Sequence, residues 1–185
     1  VHEADFLVVA LGADYDMEAT PGLAEDGNEF YSVPVAERAA GVLPEFSGRR
    51  AVIGVCGAPF KCPPAPSECA LLLDDELRRR GVRDACEITF VIPFGAPVPP
   101  SPETSAALRG EFEERGIELV TGRRIASVDP ARQVAGLDDG AELPFELFLG
   151  VPKHRAPDVV IDSGITEDGY VPVDPATLAT KVPGV

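Results

Sequence analysis

The sequence predicts an α/β protein in which a parallel sheet carries helices on both faces and is followed by a small antiparallel meander. Two observations predict it. Between residues 47 and 121, short apolar runs alternate with helical segments, and strands that alternate with helices form parallel sheets with right-handed crossovers. Beyond residue 122, shorter segments are separated by turn residues, which is typical of a meander. At 45% hydrophobic residues, the chain can bury one sizeable core.

The first predicted element is a buried strand, FLVVALGA, at residues 6–13. A polar segment with glycines follows as far as Tyr31, and VPVAERAAGVL then predicts a short helix with a proline near its start. We assign residues 1–46 to this strand and the segment that connects it to the next domain.

Residues 47–151 predict a Rossmann-like domain. RRAVIGV, CEITFVI and IELVTG are predicted strands, and SECALLLDDELRRRG and SPETSAALRGEFEERG are predicted helices between them. Ser101 and Pro102 suit the cap and the first position of the second helix. RIASVD, RQVAGL and AELPF predict the meander, and ELFLGVP predicts a further strand. The proline-rich residues 152–185 predict a loop that returns toward the first segment.

Composition excludes several kinds of function. The formal net charge of −15 and the pI near 4.4 argue against a nucleic acid partner, since phosphate binding needs basic surface. Four cysteines without a CxxC pair predict neither a disulfide framework nor a metal site. The chain has neither an apolar run long enough to span a bilayer nor a basic leader at its start, so we expect a cytoplasmic protein with reduced thiols.

The loop GVCGAPFKCPPAPSE, residues 54–68, stands where a dinucleotide-binding turn would lie. Such a turn needs glycines spaced G-x-G-x-x-G, and here only Gly54 and Gly57 remain, with a different spacing. Pro63, Pro64 and Pro66 of this loop remove backbone N–H donors that a pyrophosphate would use. The second strand also lacks the acidic residue that holds the ribose, since it ends in VIPF. We therefore expect that NAD(P) does not bind.

Cys62 is the candidate catalytic residue of this loop. It follows Lys61 and precedes a predicted helix, and a neighbouring cation and a helix N-terminus both favour the nucleophilic thiolate. The alternative is an inert, half-buried thiol. His154 is a weaker candidate for proton transfer, because an exposed loop histidine without a chemical role is the commoner outcome. Lys61 either stabilises the thiolate or is a solvated loop lysine.

Several motifs together resemble the FAD-dependent pyridine nucleotide-disulfide oxidoreductase superfamily. LVVALGA resembles its A-T-G strand motif, here Ala10, Leu11 and Gly12, and PFKCPPAPSE resembles the redox-cysteine loop of its sulfide:quinone oxidoreductase and flavocytochrome c sulfide dehydrogenase branch. LFLGVPKHRAPDVVIDSG and EDGYVPVDPATLAT resemble the region before the second FAD-contacting motif. The resemblance covers nearly the whole chain, which would then be an internal fragment.

The resemblance implies a function and its partners. Cys62 would work with a second cysteine, expected beyond Val185, to oxidise sulfide or another sulfur compound; electrons would pass through FAD to a quinone or cytochrome. FAD would contact Ala10, Leu11 and Gly12 in the full-length protein, and the fragment alone would bind no cofactor and be inactive. The departure is Ser32, where some members carry another cysteine.

Two other functions stay open from the sequence: an NAD(P)H-dependent flavoprotein reductase, of the NADH dehydrogenase or disulfide reductase type, and a non-catalytic Rossmann-like binding module. Peripheral attachment to a membrane through segments outside these residues and a homo-oligomeric state also stay open.

Overall fold

The computed structural model describes residues 4–185 and divides into two compact units. The larger unit is Asp16–Lys153, and the smaller combines the chain up to Tyr15 with His154–Val185. These boundaries differ from the predicted ones at residues 46 and 151. The segment after Asp16 belongs to the larger unit because it packs there: Leu23 is fully buried in a core with Val52.

A four-stranded parallel sheet forms the centre of the larger unit. Its central strands are Arg50–Val55 (β2) and Glu87–Ile92 (β3), and its outer strands are Ile117–Thr121 (β4) and Leu147–Val151 (β8). The strands lie in the order β4-β3-β2-β8. Helix α3, Ala65–Arg79, connects β2 to β3, and α4, Pro102–Arg115, connects β3 to β4. The predicted strand–helix alternation is therefore present.

Both faces of this sheet are buried, which explains the continuous apolar runs of its strands. Along β2, Ala51, Ile53 and Val55 contact the helical core, whereas Val52 lies on the opposite face. The helical core is built against α3 and α4 and includes an edge-to-face pair of Phe90 and Phe112, with ring centroids 5.9 Å apart.

The opposite face is covered mainly by the meander rather than by a long helix. Its strands are β5, β6 and β7, at Ile125–Asp129, Val134–Leu137 and Glu142–Pro144, and they pair antiparallel as predicted. The four-residue helix α1, Leu23–Asp26, lies on the same face. Helices thus lie on both faces of the sheet, but the long helices α3 and α4 lie on one face and only the four-residue α1 lies on the other.

The predicted helix starts are largely confirmed. Helix α2 is Val33–Glu45, with Pro34 in its first turn. The Ser101 Oγ accepts a 3.3 Å hydrogen bond from the Thr104 N–H at the start of α4, whose first residue is Pro102.

The predicted strand at residues 6–13 is wrong. This segment has no regular secondary structure, and Phe6 and Val8 are more than four-fifths exposed. Apolar sequence makes a strand only where neighbouring strands accept its backbone hydrogen bonds, and no strand pairs with residues 6–13 in the part of the chain that the structure describes. Only the adjacent Asp14–Asp16, strand β1, pairs, and its partner is β9, Lys153–Arg155.

The predicted loop at 152–185 contains β9 and a short helix α5, Asp158–Asp162. Across residues 4–185, no helix combines the length and the apolar character that a membrane crossing requires.

Candidate functional site

The Cys62 loop joins the end of β2 to the start of α3. The Cys62 side chain is exposed, and its backbone has a φ of 51°, in the left-handed region that residues with a Cβ seldom adopt. Its carbonyl oxygen accepts a 3.0 Å hydrogen bond from the Ala65 N–H at the first position of α3. The candidate thiol therefore lies at the carboxyl edge of the sheet and next to the N-terminus of α3.

Phe60 is buried near the carboxyl ends of the strands, where Rossmann-like sheets bind a dinucleotide. Phe60 is only 8% exposed, and its ring stacks on that of Phe94 with the ring centroids 5.8 Å apart. Phe60 follows β2 and Phe94 follows β3, so the stacked pair lies at the carboxyl ends of adjacent parallel strands, the usual place for a ligand in such sheets. Sequence reasoning missed Phe60, because its partner lies 34 positions away along the chain.

Close packing within the protein explains why glycine is needed at the two remaining glycine positions of the loop. A Cβ at Gly54 would lie 2.5 Å from Ile125 Cγ1 of the meander, and a Cβ at Gly57 would lie 2.8 Å from Lys153 Cβ. The first two helical positions also leave no N–H for an anion, because Ala65 donates to Cys62 and Pro66 has none.

The other three cysteines are poor nucleophiles. Burial raises the pKa of Cys56 to about 12, although a hydrogen bond with Thr20 opposes it, and burial also raises the pKa of Cys69 to about 12. Burial likewise raises the pKa of Cys86. Cys62 is the only exposed thiol of the four. A thiol that stays protonated at neutral pH does not attack, so the structure leaves Cys62 as the accessible candidate.

Tyr31 lies beside the Cys62 loop and Glu29 contacts Tyr31; neither was predicted as a site residue. The Tyr31 hydroxyl donates to the Cys62 carbonyl oxygen at 3.4 Å. Glu29 is 2% exposed, and its carboxylate accepts hydrogen bonds from the backbone N–H groups of Tyr31 and Ser32, at 2.6 and 2.9 Å, and from the Ser32 hydroxyl. Only the adjacency of these polar residues to a helix start could have drawn attention to them in the sequence.

The two weaker candidates differ in exposure. Lys61 is exposed beside Cys62 in the larger unit. His154 belongs to the smaller unit and, contrary to the exposed position considered from the sequence, is 1% exposed. It lies within β9, with its ring edge-to-face against Tyr15 at 5.0 Å, and its carbonyl accepts a 2.6 Å hydrogen bond from the Tyr170 hydroxyl. Its role in proton transfer stays a prediction.

Ala10, Leu11 and Gly12 line a cleft of about 150 Å³ in the smaller unit. The same cleft is also lined by Ala156, Val160 and Tyr170. All three predicted FAD residues are exposed to solvent. Within residues 4–185, no group of three or more His, Cys, Asp or Glu side chains could hold a metal ion.

No protein-family profile matches the sequence. Over 185 aligned residues, it is 26% identical to the mitochondrial sulfide:quinone oxidoreductase of Dictyostelium discoideum, covering 94% of this chain and 41% of that protein. The chain is therefore similar to a sulfide:quinone oxidoreductase over nearly all of its own length. The resemblance predicted from the cysteine loop and its flanking motifs is thereby confirmed.

Solved structures agree on the fold. The sulfide:quinone oxidoreductase of Aquifex aeolicus superimposes with a TM-score of 0.74 at 21% identity, covering 97% of this chain and 42% of that one. The NAD-dependent persulfide reductase of A. fulgidus superimposes with a TM-score of 0.62 at 21% identity, covering 92% of this chain and 30% of that one. The chain spans less than half the length of each of these three relatives. The predicted α/β fold, with its Rossmann-like parallel sheet, is confirmed.

Proposed function

We propose that this chain is the internal domain of an FAD-dependent sulfide dehydrogenase, in which Cys62 is the redox cysteine. The full-length protein would oxidise sulfide, or another sulfur compound, and reduce a quinone or a cytochrome. The observation that carries the proposal is that Cys62, alone among the four cysteines, presents an exposed thiol, at the carboxyl edge of the sheet. The sulfide:quinone oxidoreductase relative supports the same chemistry.

The proposed step balances in atoms and electrons. Hydrosulfide attacks a disulfide between Cys62 and a second cysteine, expected beyond Val185; the S–S bond breaks, a persulfide forms on one sulfur, and the other leaves as a thiolate. In this step the disulfide takes up the two electrons that the sulfide sulfur loses. FAD would accept two electrons afterwards, when the persulfide and the thiolate are reoxidised to a sulfur-bridged pair. The residues expected to contact FAD are Ala10, Leu11 and Gly12, whose exposed cleft is compatible with that role.

The loop supports a donor other than NAD(P)H. Phe60 stacked on Phe94 occupies the crevice at the strand ends, and meander atoms occupy the space beside Gly54. An adenine nucleotide would have to displace this packing, and the prolines of the loop offer it few N–H groups in return.

An NAD(P)H-dependent flavoprotein reductase is the second candidate function. The likeness to the NAD-dependent persulfide reductase favours it, since the two folds superimpose over most of this chain. On this alternative Cys62 would still handle sulfur, but electrons would arrive from NAD(P)H.

Anaerobic flavin bleaching in the full-length protein separates the two functions. We expect sulfide to bleach the flavin of the wild type, Cys62→Ser to abolish this, and NADH to leave the flavin oxidised. Cys69→Ser is the matched control, because Cys69 is the neighbouring, partly buried thiol on α3. Bleaching by NADH that is indifferent to Cys62→Ser would contradict the proposal and favour the reductase; no bleaching by either donor would favour a binding module.

A further inference from the structure

We propose that Tyr31 is a positioning residue for the reaction at Cys62. Its phenolic O–H holds the Cys62 carbonyl oxygen and thereby keeps the backbone in the conformation that presents the thiol to solvent. This inference rests on the proposed function of Cys62, which it deepens by naming the group that fixes the direction of the reactive sulfur.

The backbone at Cys62 needs such support. A residue with a Cβ in the left-handed region is strained and persists there only when its surroundings hold it. The Cys62 carbonyl receives two donors, the Ala65 N–H at 3.0 Å and the Tyr31 O–H at 3.4 Å, and a carbonyl oxygen has two lone pairs to accept them. The Ala65 bond lies within the loop itself, whereas the Tyr31 bond ties the loop to a segment 31 residues away.

Tyr31 is itself held by neighbouring groups. The buried Glu29 carboxylate accepts the Tyr31 and Ser32 backbone N–H groups, which fixes the backbone where α2 begins. The rings of Phe30 and Tyr31 lie 5.2 Å apart and pack against the helical core. The phenol therefore reaches the Cys62 loop from an anchored backbone rather than from a free loop.

Loss of the Tyr31 hydroxyl should change the direction in which the Cys62 thiol points. Without the second donor, the loop can relax toward the negative φ that a cysteine prefers, and a change in φ swings the Cβ and the Sγ to a new direction. Loss of one hydrogen bond between neutral groups changes a conformational equilibrium by about two- to tenfold. Reactivity of Cys62 should fall by that factor without unfolding the protein.

The test uses the full-length flavoprotein, reduced beforehand and kept anaerobic. The rate constant for alkylation of Cys62 by iodoacetamide is followed by peptide mass spectrometry in the wild type, Tyr31→Phe and Ser105→Ala. Ser105→Ala is the control, because it removes a side-chain hydroxyl that donates to another backbone carbonyl of the larger unit, that of Val98 at 2.8 Å. We expect alkylation to slow by about two- to tenfold in Tyr31→Phe and to be unchanged in Ser105→Ala.

A second readout separates positioning from general stability. In Tyr31→Phe, the limiting rate of flavin bleaching by sulfide should fall while the half-saturating sulfide concentration stays the same, because the thiol is misdirected and access is not blocked. Unchanged or faster alkylation in Tyr31→Phe, or equal slowing in both variants, overturns the inference. Those outcomes are distinct from failure of the proposed function, which would appear as sulfide bleaching that persists in Cys62→Ser or as no bleaching of the wild type by sulfide.

Discussion

At the scale of single residues, two buried serines differ in what their hydroxyl groups contact. Ser67 on α3 is 1% exposed, and its Oγ has no hydrogen-bond partner among the described residues. Ser105 on α4 is 4% exposed, and its Oγ donates to the Val98 carbonyl at 2.8 Å and accepts from the Val98 N–H at 3.1 Å. A buried hydroxyl without a partner costs stability, whereas a paired one contributes to it.

The same substitution should therefore have opposite effects at the two serines. We expect Ser67→Ala to raise the free energy of unfolding by about 1 kcal/mol and Ser105→Ala to lower it by about 1 kcal/mol. Urea denaturation of the 185-residue chain, followed by circular dichroism, measures both. A destabilising Ser67→Ala would mean that the hydroxyl has a partner in solution and would refute this prediction.

At the scale of elements, a buried carboxylate connects α3 to α4. Asp74 is fully buried and pairs with Arg78 of its own helix at 2.7 Å, with Arg83, and with Arg115 of α4 at 2.9 Å. Burial alone would raise the pKa of Asp74, but hydrogen bonds from the three arginines outweigh it and lower this pKa below its usual value. Arg83 also donates to the Arg115 and Gly116 carbonyls at the end of α4.

We expect Asp74→Asn to lower the free energy of unfolding by about 3 kcal/mol at neutral pH, because it removes the buried counter-charge of Arg83, whose side chain is only 11% exposed, and of Arg115. A carboxyl whose pKa is lower in the folded state stabilises the fold above its unfolded pKa, about 3.9, and loses this contribution as the pH falls through its folded pKa. The difference between wild type and variant should therefore be constant above about pH 5 and shrink below about pH 4.

The control for this prediction is Asp75→Asn on the same helix. The Asp75 side chain is 60% exposed and pairs only with Arg115 among the described residues, so its loss should cost less than about 1 kcal/mol. Urea titrations of both variants from pH 3 to pH 8 test the pair. Equal costs for the two variants, or a difference that does not depend on pH, would rule out the special role of Asp74.

At the scale of the whole molecule, the segment expected to contact FAD lacks a sheet around it. Within the described part of the chain, residues 6–13 form no strand and pair with none. The chain spans 41% of the length of its Dictyostelium relative. We expect the 185-residue chain to bind no FAD in a fluorescence titration, and the full-length protein to purify with flavin bound. Stoichiometric binding of FAD to the 185-residue chain would contradict this prediction and would mean that the Ala10–Gly12 cleft is sufficient by itself.

Local sequence determined most of the secondary structure of the larger unit. The strands β2, β3, β4 and β8, the helices α2, α3 and α4 and the three meander strands lie where apolar periodicity, caps and turn residues predict them. The sequence also pointed to Cys62 through its cation neighbour and the helix that follows. These features depend on residues close together in the chain, so a linear sequence contains them.

Tertiary structure alone decided what each segment pairs with. LFLGV and FLVVALGA have the same apolar character, yet Leu147–Val151 is a strand because β2 lies beside it, and residues 6–13 are not. Phe60 stacks on Phe94 only because Phe94 follows the adjacent strand. Tyr31 contacts Cys62 only because α2 begins beside the loop. Hydrogen bonds and ring contacts between distant residues depend on how the chain folds back, and no local pattern encodes that.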